Sequence, residues 1–288
     1  MSISSPELIH VVDTRPIVSH VARQAFGTDC GRPVFEGGRR LGTVHTSADA
    51  TVCFFEEIVP ANLSGSCEEQ TISIFETIER VLHAEGMKFE HLVRTWFYLD
   101  HILDWYNDFN HARTPFLKTR GTFEGLMPAS TGIGIPNRHG AAVVAGALAI
   151  QPNGATVREV PSPLQCSALD YKSSFSRAVE ITRADRRELY ISGTASIEPG
   201  GKTAHVGDMH GQIDLTMEVA GAILQSRGMD WSHCTRAIAY IKHLNDAPLF
   251  AEYLREHHLG NLPLTWMHAD VCRDDLLFEI ELDAVAGC

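Results

Sequence analysis

The feature that most constrains this chain is that it repeats itself. Gly65, Gln70, Glu76, Leu82, Gly86-Met87, His91, Arg94, Tyr98 and His101 recur as Gly207, Gln212, Glu218, Leu224, Gly228-Met229, His233, Arg236, Tyr240 and His243, each pair 142 positions apart (94 to 236). Further on, Pro128 stands opposite Pro263 and Arg138 opposite Arg273 at an offset of 135, so the first half carries seven more residues between Tyr98 and Pro128. An extended loop or helix end is expected there. A chain of 288 residues that repeats in this way reads as two copies of one unit.

Each copy has the same pattern. Ile72, Phe75, Ile78 and Leu82 are spaced three or four apart, as are Ile213, Met217, Ala220 and Leu224, which predicts two amphipathic helices, each ending at a Gly-Met turn. Strands rich in aromatic or β-branched residues follow at Leu92 to Leu99 and Thr235 to Ile241. A second helix comes next, with Trp105, Phe109, Ala112 and Phe116 on one face in the first half. In the second half, Asp246 is the expected N-cap and Pro248 a first-turn residue before Phe250 and Leu254. Strands at Gly140 to Ile150 and Leu276 to Ala284 close the halves, and strand pairs at Leu41 to Ile58 and Glu188 to Ile197 open them. The order ββαβαββ predicts an α+β fold of two tandem lobes, each a β-sheet with helices packed on one face. The lobes are expected at 1–155 and 165–288, with Gln151 to Leu169, which holds three prolines, as the linker.

Charge and cysteine content narrow the function classes. Thirty-six acidic against 24 basic residues give a formal charge of -12, so neither nucleic acid nor an anionic membrane is an expected partner, and any anionic ligand must meet a local basic pocket. The longest apolar run, Ala141 to Ile150, is far below the ~18 residues that span a bilayer. The first residues, MSISSPELIH, lack a basic region before an apolar run, and the seven scattered cysteines form no CxxC pair. A reduced, cytoplasmic protein without a secretory signal or disulfide framework is expected. No phosphate loop, HExxH or GxSxG pattern occurs, and the fifteen histidines form no metal-ligand spacing. No metal or cofactor is therefore expected.

Glu279 and Glu281 fall on one face of the last strand, opposite the apolar Phe278, Ile280 and Leu282. The 135 offset sets Val144 and Gly146 at the equivalent places, so the acids belong to one copy only. They read either as a general acid with a raised pKa in a cleft between the halves or as a solvated sheet face. Tyr106, Asn110 and Arg113 share a helix face, either as a carboxylate clamp or as ordinary surface. Pro128-Ala-Ser-Thr-Gly-Ile-Gly134 reads as a turn with backbone N–H groups open to an anion, or as a common loop. Tyr171 to Arg177 joins an aromatic, hydroxyls and an arginine, or forms an edge strand.

Taken together these residues resemble a known family. The duplicated unit is similar to the RidA (YjgF) superfamily through its Gln helix start, Gly-Met turn, Arg-x-x-x-Tyr strand and closing Glu-Ile-Glu. The more specific resemblance is to the chorismatases. It is carried by Arg94-Thr-Trp-Phe-Tyr98 with Ile102, Tyr106, Phe109 and Arg113; by Pro128 to Gly134; by Phe175-Ser-Arg-Ala178 with Ile191 to Ile197, His205 and Gly207-Asp208; and by Ala269-Asp-Val-Cys-Arg273 through Glu281. The chain is shorter than usual members, chiefly at its N-terminus.

The resemblance implies hydrolysis of the enolpyruvyl ether of chorismate, releasing pyruvate and a hydroxybenzoate or its dihydro form. It implies Glu279 as proton donor to the methylene carbon, with Glu281 beside it. Arg113 and Arg177 are implied as anchors for the two substrate carboxylates, and Tyr98, Tyr106, Ser130 and Thr131 as hydrogen-bond donors, with Gly193 and Cys272 at the same site. Cys272 resembles the cysteine of the branch that forms 3-hydroxybenzoate. The implied partner is a small dianionic substrate, and the implied assembly is a monomer with pseudo-threefold character or a homotrimer. Two other readings compete: a RidA-type enamine or imine deaminase, whose anchoring arginine is replaced here by Ser130 and Thr265, and a non-catalytic binding protein on the same fold.

Overall fold

The computed structural model describes residues 31–288. The leader expectation for MSISSPELIH, the start of the first lobe and Cys30 lie outside the described residues. The first lobe runs β1 (Arg32–Glu36), β2 (Arg39–Thr46), β3 (Ala50–Ile58), α1 (Cys67–Ala84), β4 (Leu92–Leu99), α2 (Ile102–Thr119), β5 (Ala129–Gly134) and β6 (Val143–Pro152). The second runs β7 (Thr156–Val160), β8 (Ala178–Thr182), β9 (Arg186–Ala195), α3 (Met209–Ser226), β10 (Cys234–Ile241), α4 (Ala247–Glu256), β11 (Leu264–His268) and β12 (Phe278–Gly287). The sheet orders β1-β2-β3-β6-β4-β5 and β7-β8-β9-β12-β10-β11 are the same topology twice. In each sheet the pairing that a helix bridges, β4 with β5 and β10 with β11, is parallel.

Each lobe therefore has one more opening strand than the expected ββαβαββ. The extra strands β1 and β7 lie at sheet edges and each buries a single side chain, Val34 and Val160. Such strands leave almost no period-2 signal, and Pro33 is tolerated in β1 because an edge strand can spare an N–H. The segment 151–169 is for the same reason not merely a linker: β7 within it adds a strand to the second sheet, which thus begins at Thr156 rather than after residue 165.

The recurring residues are the hinges of the architecture. Gln70 Nε2 donates to the carbonyls of Leu63 (3.1 Å) and Gly65 (3.0 Å), while its Oε1 accepts from Ala142 N at 2.8 Å. Gln212 does the same with His205 (3.3 Å), Asp275 (2.8 Å) and Leu277 N (2.8 Å). Each glutamine thus ties a helix start to the approach of its closing strand. Ser66 and Glu69 form a reciprocal capping box at α1, and Asp208 caps α3. Gly86 and Gly228 end these helices in the left-handed region (φ 73° and 66°), where a Cβ would be strained. The methionines that follow, Met87 and Met229, are buried. On α1 the buried stripe is Ile74, Phe75, Ile78, Val81 and Leu82; Ile72, expected on that stripe, is exposed. The seven extra residues of the first half lengthen a helix, as expected: α2 has 18 residues against 10 in α4.

α1 and α2 cover the outer face of the first sheet, and α3 and α4 that of the second. The two inner faces pack on each other, with Phe54, Trp96, Tyr98 and Leu148 of one sheet meeting Ile181, Tyr190, Ile238 and Tyr240 of the other in one core. The result is a four-layer α/β/β/α sandwich. β5 is stitched to the second lobe by main-chain bonds, from Ser176 N to the Pro128 carbonyl (3.0 Å) and between Gly134 and Asp270 in both directions (2.7 and 3.1 Å). Among the described residues no helix is long and apolar enough to cross a membrane, and the six described cysteines are free thiols.

Phe250 anchors α4 against Trp266 (4.9 Å) and Phe278 (4.7 Å) and is fully buried. Phe250→Ala is expected to lower stability by about 3–5 kcal/mol, read as a drop in the denaturant midpoint of the second lobe.

Candidate active site

β12 decides the first open question. Phe278, Ile280, Leu282 and Ala284 pack on the helices, and Glu279, Glu281 and Asp283 point the other way, into the space between the two sheets. They are 5%, 0% and 0% exposed, so this is not a solvated face. Three carboxylates buried in a row require cations or protons. Arg236 on β10 donates from Nη1 to Glu281 Oε1 (2.5 Å) and from Nε and Nη2 to Asp283 (2.6 and 3.1 Å). Arg94, fully buried on β4 of the other lobe, donates from Nη2 to Glu281 Oε2 at 2.9 Å. Trp96 Nε1 adds a bond to Glu281 Oε1 at 3.0 Å.

Glu279 has no ion pair among the described residues. Burial, reinforced by the charge of Glu281, pushes its pKa up to about 8, against a smaller opposing effect of Arg94. Burial also works against charge on Glu281, but Arg236 and Arg94 outweigh it and hold its pKa below the usual value. Two acids two residues apart on one strand face are thus driven in opposite directions by their surroundings, as in an acid–base pair. The register agrees with the offset: Tyr240 faces Glu279 and Ile238 faces Glu281, as Tyr98 faces Val144 and Trp96 faces Gly146. Where the second copy has an acid, the first has a glycine whose bare backbone lies against the Trp96 ring.

Glu279 borders a cavity of about 810 Å³ between the lobes. Tyr106, Arg113, Ser130, Arg177, Gly193 and Cys272 line it with Glu279, so seven of the ten expected site residues converge. The lack of a side chain at 193 is required, because a Cβ there would overlap the Glu279 carboxyl. Arg113, on the lengthened helix α2, is 2% exposed; it donates to Asn110 Oδ1 (2.6 Å) and lies over the Phe109 ring. That excludes an ordinary surface arginine. Burial pulls its pKa down, partly offset by Tyr106. Its Nε has no hydrogen-bond partner among the described residues. Arg177 is held by the Cys166 carbonyl (2.9 and 3.1 Å) and by the faces of Tyr171 and Phe175. Neither guanidinium meets a carboxylate among the described residues. Cys272 is a neutral thiol, since burial and then Glu279 push its pKa up to about 12.

The other three expected residues stand behind the cavity wall. Tyr98 is buried in the core between the sheets. Thr131 Oγ1 accepts from Arg94 Nη2 (2.7 Å) and from Gly193 N (3.0 Å). Glu281 lies within the ion cluster. Pro128 to Gly134 is not an open turn: residues 129–134 are β5, and Ser130 N and Gly134 N are taken by Ser192 Oγ and the Asp270 carbonyl. The stretch from Tyr171 to Arg177 is not an edge strand either, since it follows a short 3-10 turn and β8 starts at Ala178.

Sequence reasoning singled out the stretch Tyr171 to Arg177 but named only Arg177 of it as a site residue, and it missed Arg273 as a cavity residue. The Tyr171 ring lies between the guanidiniums of Arg177 and Arg273, each 5.4 Å away. It also passed over Arg94 and Arg236 as partners of the acids, although their recurrence in the middle of apolar strands is the signal that marks them. Among the described residues one group could share a cation, Glu68, Asp108 and His111, and all three are exposed.

A carboxyl with a raised pKa, in a cavity with three guanidiniums that pair with no acid among the described residues, can give a proton to a bound anion. Comparison with known proteins shows what the chain resembles. Residues 32–148 match the family model described as Chorismatase FkbO/Hyg5-like, N-terminal. Proteins named as chorismatases are among those the chain resembles. A chorismatase of Streptomyces hygroscopicus is 27% identical over 273 residues, which cover 87% of this chain and 76% of that protein. A 3-hydroxybenzoate synthase of the same organism is 28% identical, covering 85% and 77%. A crystal structure of a chorismatase superposes with a TM-score of 0.72 at 22% identity, over 88% of this chain and 80% of that one, and shows the shared fold.

The ion cluster carries a stability prediction. Arg236→Met leaves Glu281 and Asp283 buried with one cation between them, and is expected to cost about 3–5 kcal/mol, measured by chemical denaturation at pH 7.

Proposed function

We propose that the chain is a chorismatase-like hydrolase that cleaves the enolpyruvyl ether of chorismate. The observation that carries this reading is Glu279, a carboxyl with a pKa of about 8 at a cavity whose guanidiniums lack acid partners. Chorismate carries two carboxylates, and Arg113 and Arg177 suit them as bidentate anchors. Tyr106 and Ser130 are placed to direct the ring and the side chain by hydrogen bonds.

Glu279 gives its proton to the methylene carbon of the enolpyruvyl group, turning it into a methyl group and leaving an oxocarbenium carbon. Water adds there and releases a proton, restoring Glu279. The hemiketal then collapses with cleavage of the ether bond, giving pyruvate and a dihydroxycyclohexadiene carboxylate. Loss of water from that ring gives 3-hydroxybenzoate. Similarity to a 3-hydroxybenzoate synthase and the neutral Cys272 thiol in the wall support the aromatic product. The reaction calls for no metal or cofactor. The proposed setting is cytoplasmic, as a monomer or homotrimer.

Two outcomes test the reading with chorismate and a coupled assay of pyruvate. Glu279→Gln is expected to abolish turnover while the substrate still binds in calorimetry, whereas Arg177→Ala raises KM far more than it lowers kcat. Full activity of the glutamine variant refutes the mechanism. The second outcome is a pH profile. The acid must be protonated to work, so kcat is flat below the Glu279 pKa and falls tenfold per unit above about 8. Stability is linked with the same sign. The folded state holds this proton while the unfolded chain releases it near pH 4.5, so the contribution of Glu279 to stability declines as pH rises from about 4.5 to 8.

A further inference from the structure

Glu279, Glu281 and Asp283 form one row of buried acids, yet only the last two are given cations. Arg236 serves both acids from the neighbouring strand. The second cation comes from the other lobe. We propose that Arg94 is the positioning residue of the acid: reaching across from the first lobe, it fixes the charge on Glu281 and the wall that Glu279 leans on.

Arg94 Nη2 donates both to Glu281 Oε2 (2.9 Å) and to Thr131 Oγ1 (2.7 Å). Thr131 Oγ1 also accepts the Gly193 N–H at 3.0 Å, and Gly193 is the residue whose missing side chain makes room for the Glu279 carboxyl. One guanidinium is therefore linked to both neighbours of the acid, directly to the charged one along β12 and through Thr131 to the backbone wall on β9. Other ionisable groups around Glu279 include Tyr240 on β10, Cys272 and Arg273 in the loop before β12, and Tyr106, Arg113, Tyr171 and Arg177 around the cavity. None of these is ion-paired to Glu281 or Glu279, so the balance of charge beside the acid is set by Arg94 and Arg236. A lobe of this chain taken alone would hold Glu281 with Arg236 and lack Arg94 altogether.

The inference rests on Glu279 as the acid of the proposed reaction, but its protonation can be followed without substrate. Infrared difference spectra against Glu279→Gln isolate the carboxyl band of protonated Glu279, and a pH titration of that band gives its midpoint, expected near 8 in the parent protein. Glu281→Gln removes a negative neighbour and is expected to lower the midpoint by about one to two pH units. Arg94→Met removes a positive one while Arg236 still holds Glu281, and is expected to raise it by about the same amount. The double variant Arg94→Met/Glu281→Gln retains a balanced Arg236–Asp283 pair. It serves if a single variant does not fold, and its midpoint is expected close to that of the parent. The alkaline limb of kcat should move in step with the band. Midpoints that stay at the parent value in both single variants overturn the inference, as does a double variant displaced as far as Glu281→Gln. A band that moves while the kcat limb does not leaves the role of Arg94 intact and refutes Glu279 as the proton donor.

Discussion

The fold and the candidate site depend on one buried cluster, two arginines against Glu281 and Asp283, with one arginine from each lobe. A sheet face with three acids cannot be packed against another sheet unless its charge is neutralised. Here the neutralising groups sit on both sides of the junction, so docking of the lobes and neutralisation of the acids are a single event. The cluster accommodates two of the three carboxyls as ions. The third, Glu279, has no ion pair among the described residues, its pKa is pushed up to about 8, and a cavity opens beside it. Chemistry and assembly therefore share the same few side chains.

The two copies have divided the work. The second lobe supplies the acids, Arg177 and Cys272, and the first supplies Arg94, Ser130 and a helix longer than its counterpart, which carries Arg113 to the cavity. Gly146 in the first copy, where the second has Glu281, leaves space for Trp96, whose indole then binds Glu281 itself. The equivalent position is thus used by both copies in complementary ways.

Much of this was legible in the sequence because duplication doubles each signal. Gln70 and Gln212, the Gly-Met turns and the Arg-x-x-x-Tyr strands could be matched before any coordinates, and the 135 offset aligned Glu279 with Val144 as the sheet register does. The apolar alternation of β12 marked the acids. What alternation cannot say is what lies on the polar side: a face of Glu279, Glu281 and Asp283 looks the same whether it meets water or a second sheet. Edge strands β1 and β7 were invisible because one buried valine makes no period. Tyr98 and Thr131 were placed one layer too near the ligand, since a strand residue that points toward a site need not reach its surface. Tyr171 and Arg273 come from irregular segments, where no periodicity relates position to direction.

The main-chain bonds that join β5 to the second lobe involve Ser176, Pro128, Gly134 and Asp270 through their backbones alone. At Gly134 the junction also requires that there be no side chain, because a Cβ there would run into Ile102 and Asp270. None of the four residues lines the cavity, so substitutions in its wall leave these junction bonds in place. Descendants of such a chain are free to change what the cavity accepts while inheriting the same junction, and the architecture is robust in the part that joins the lobes and permissive in the part that selects.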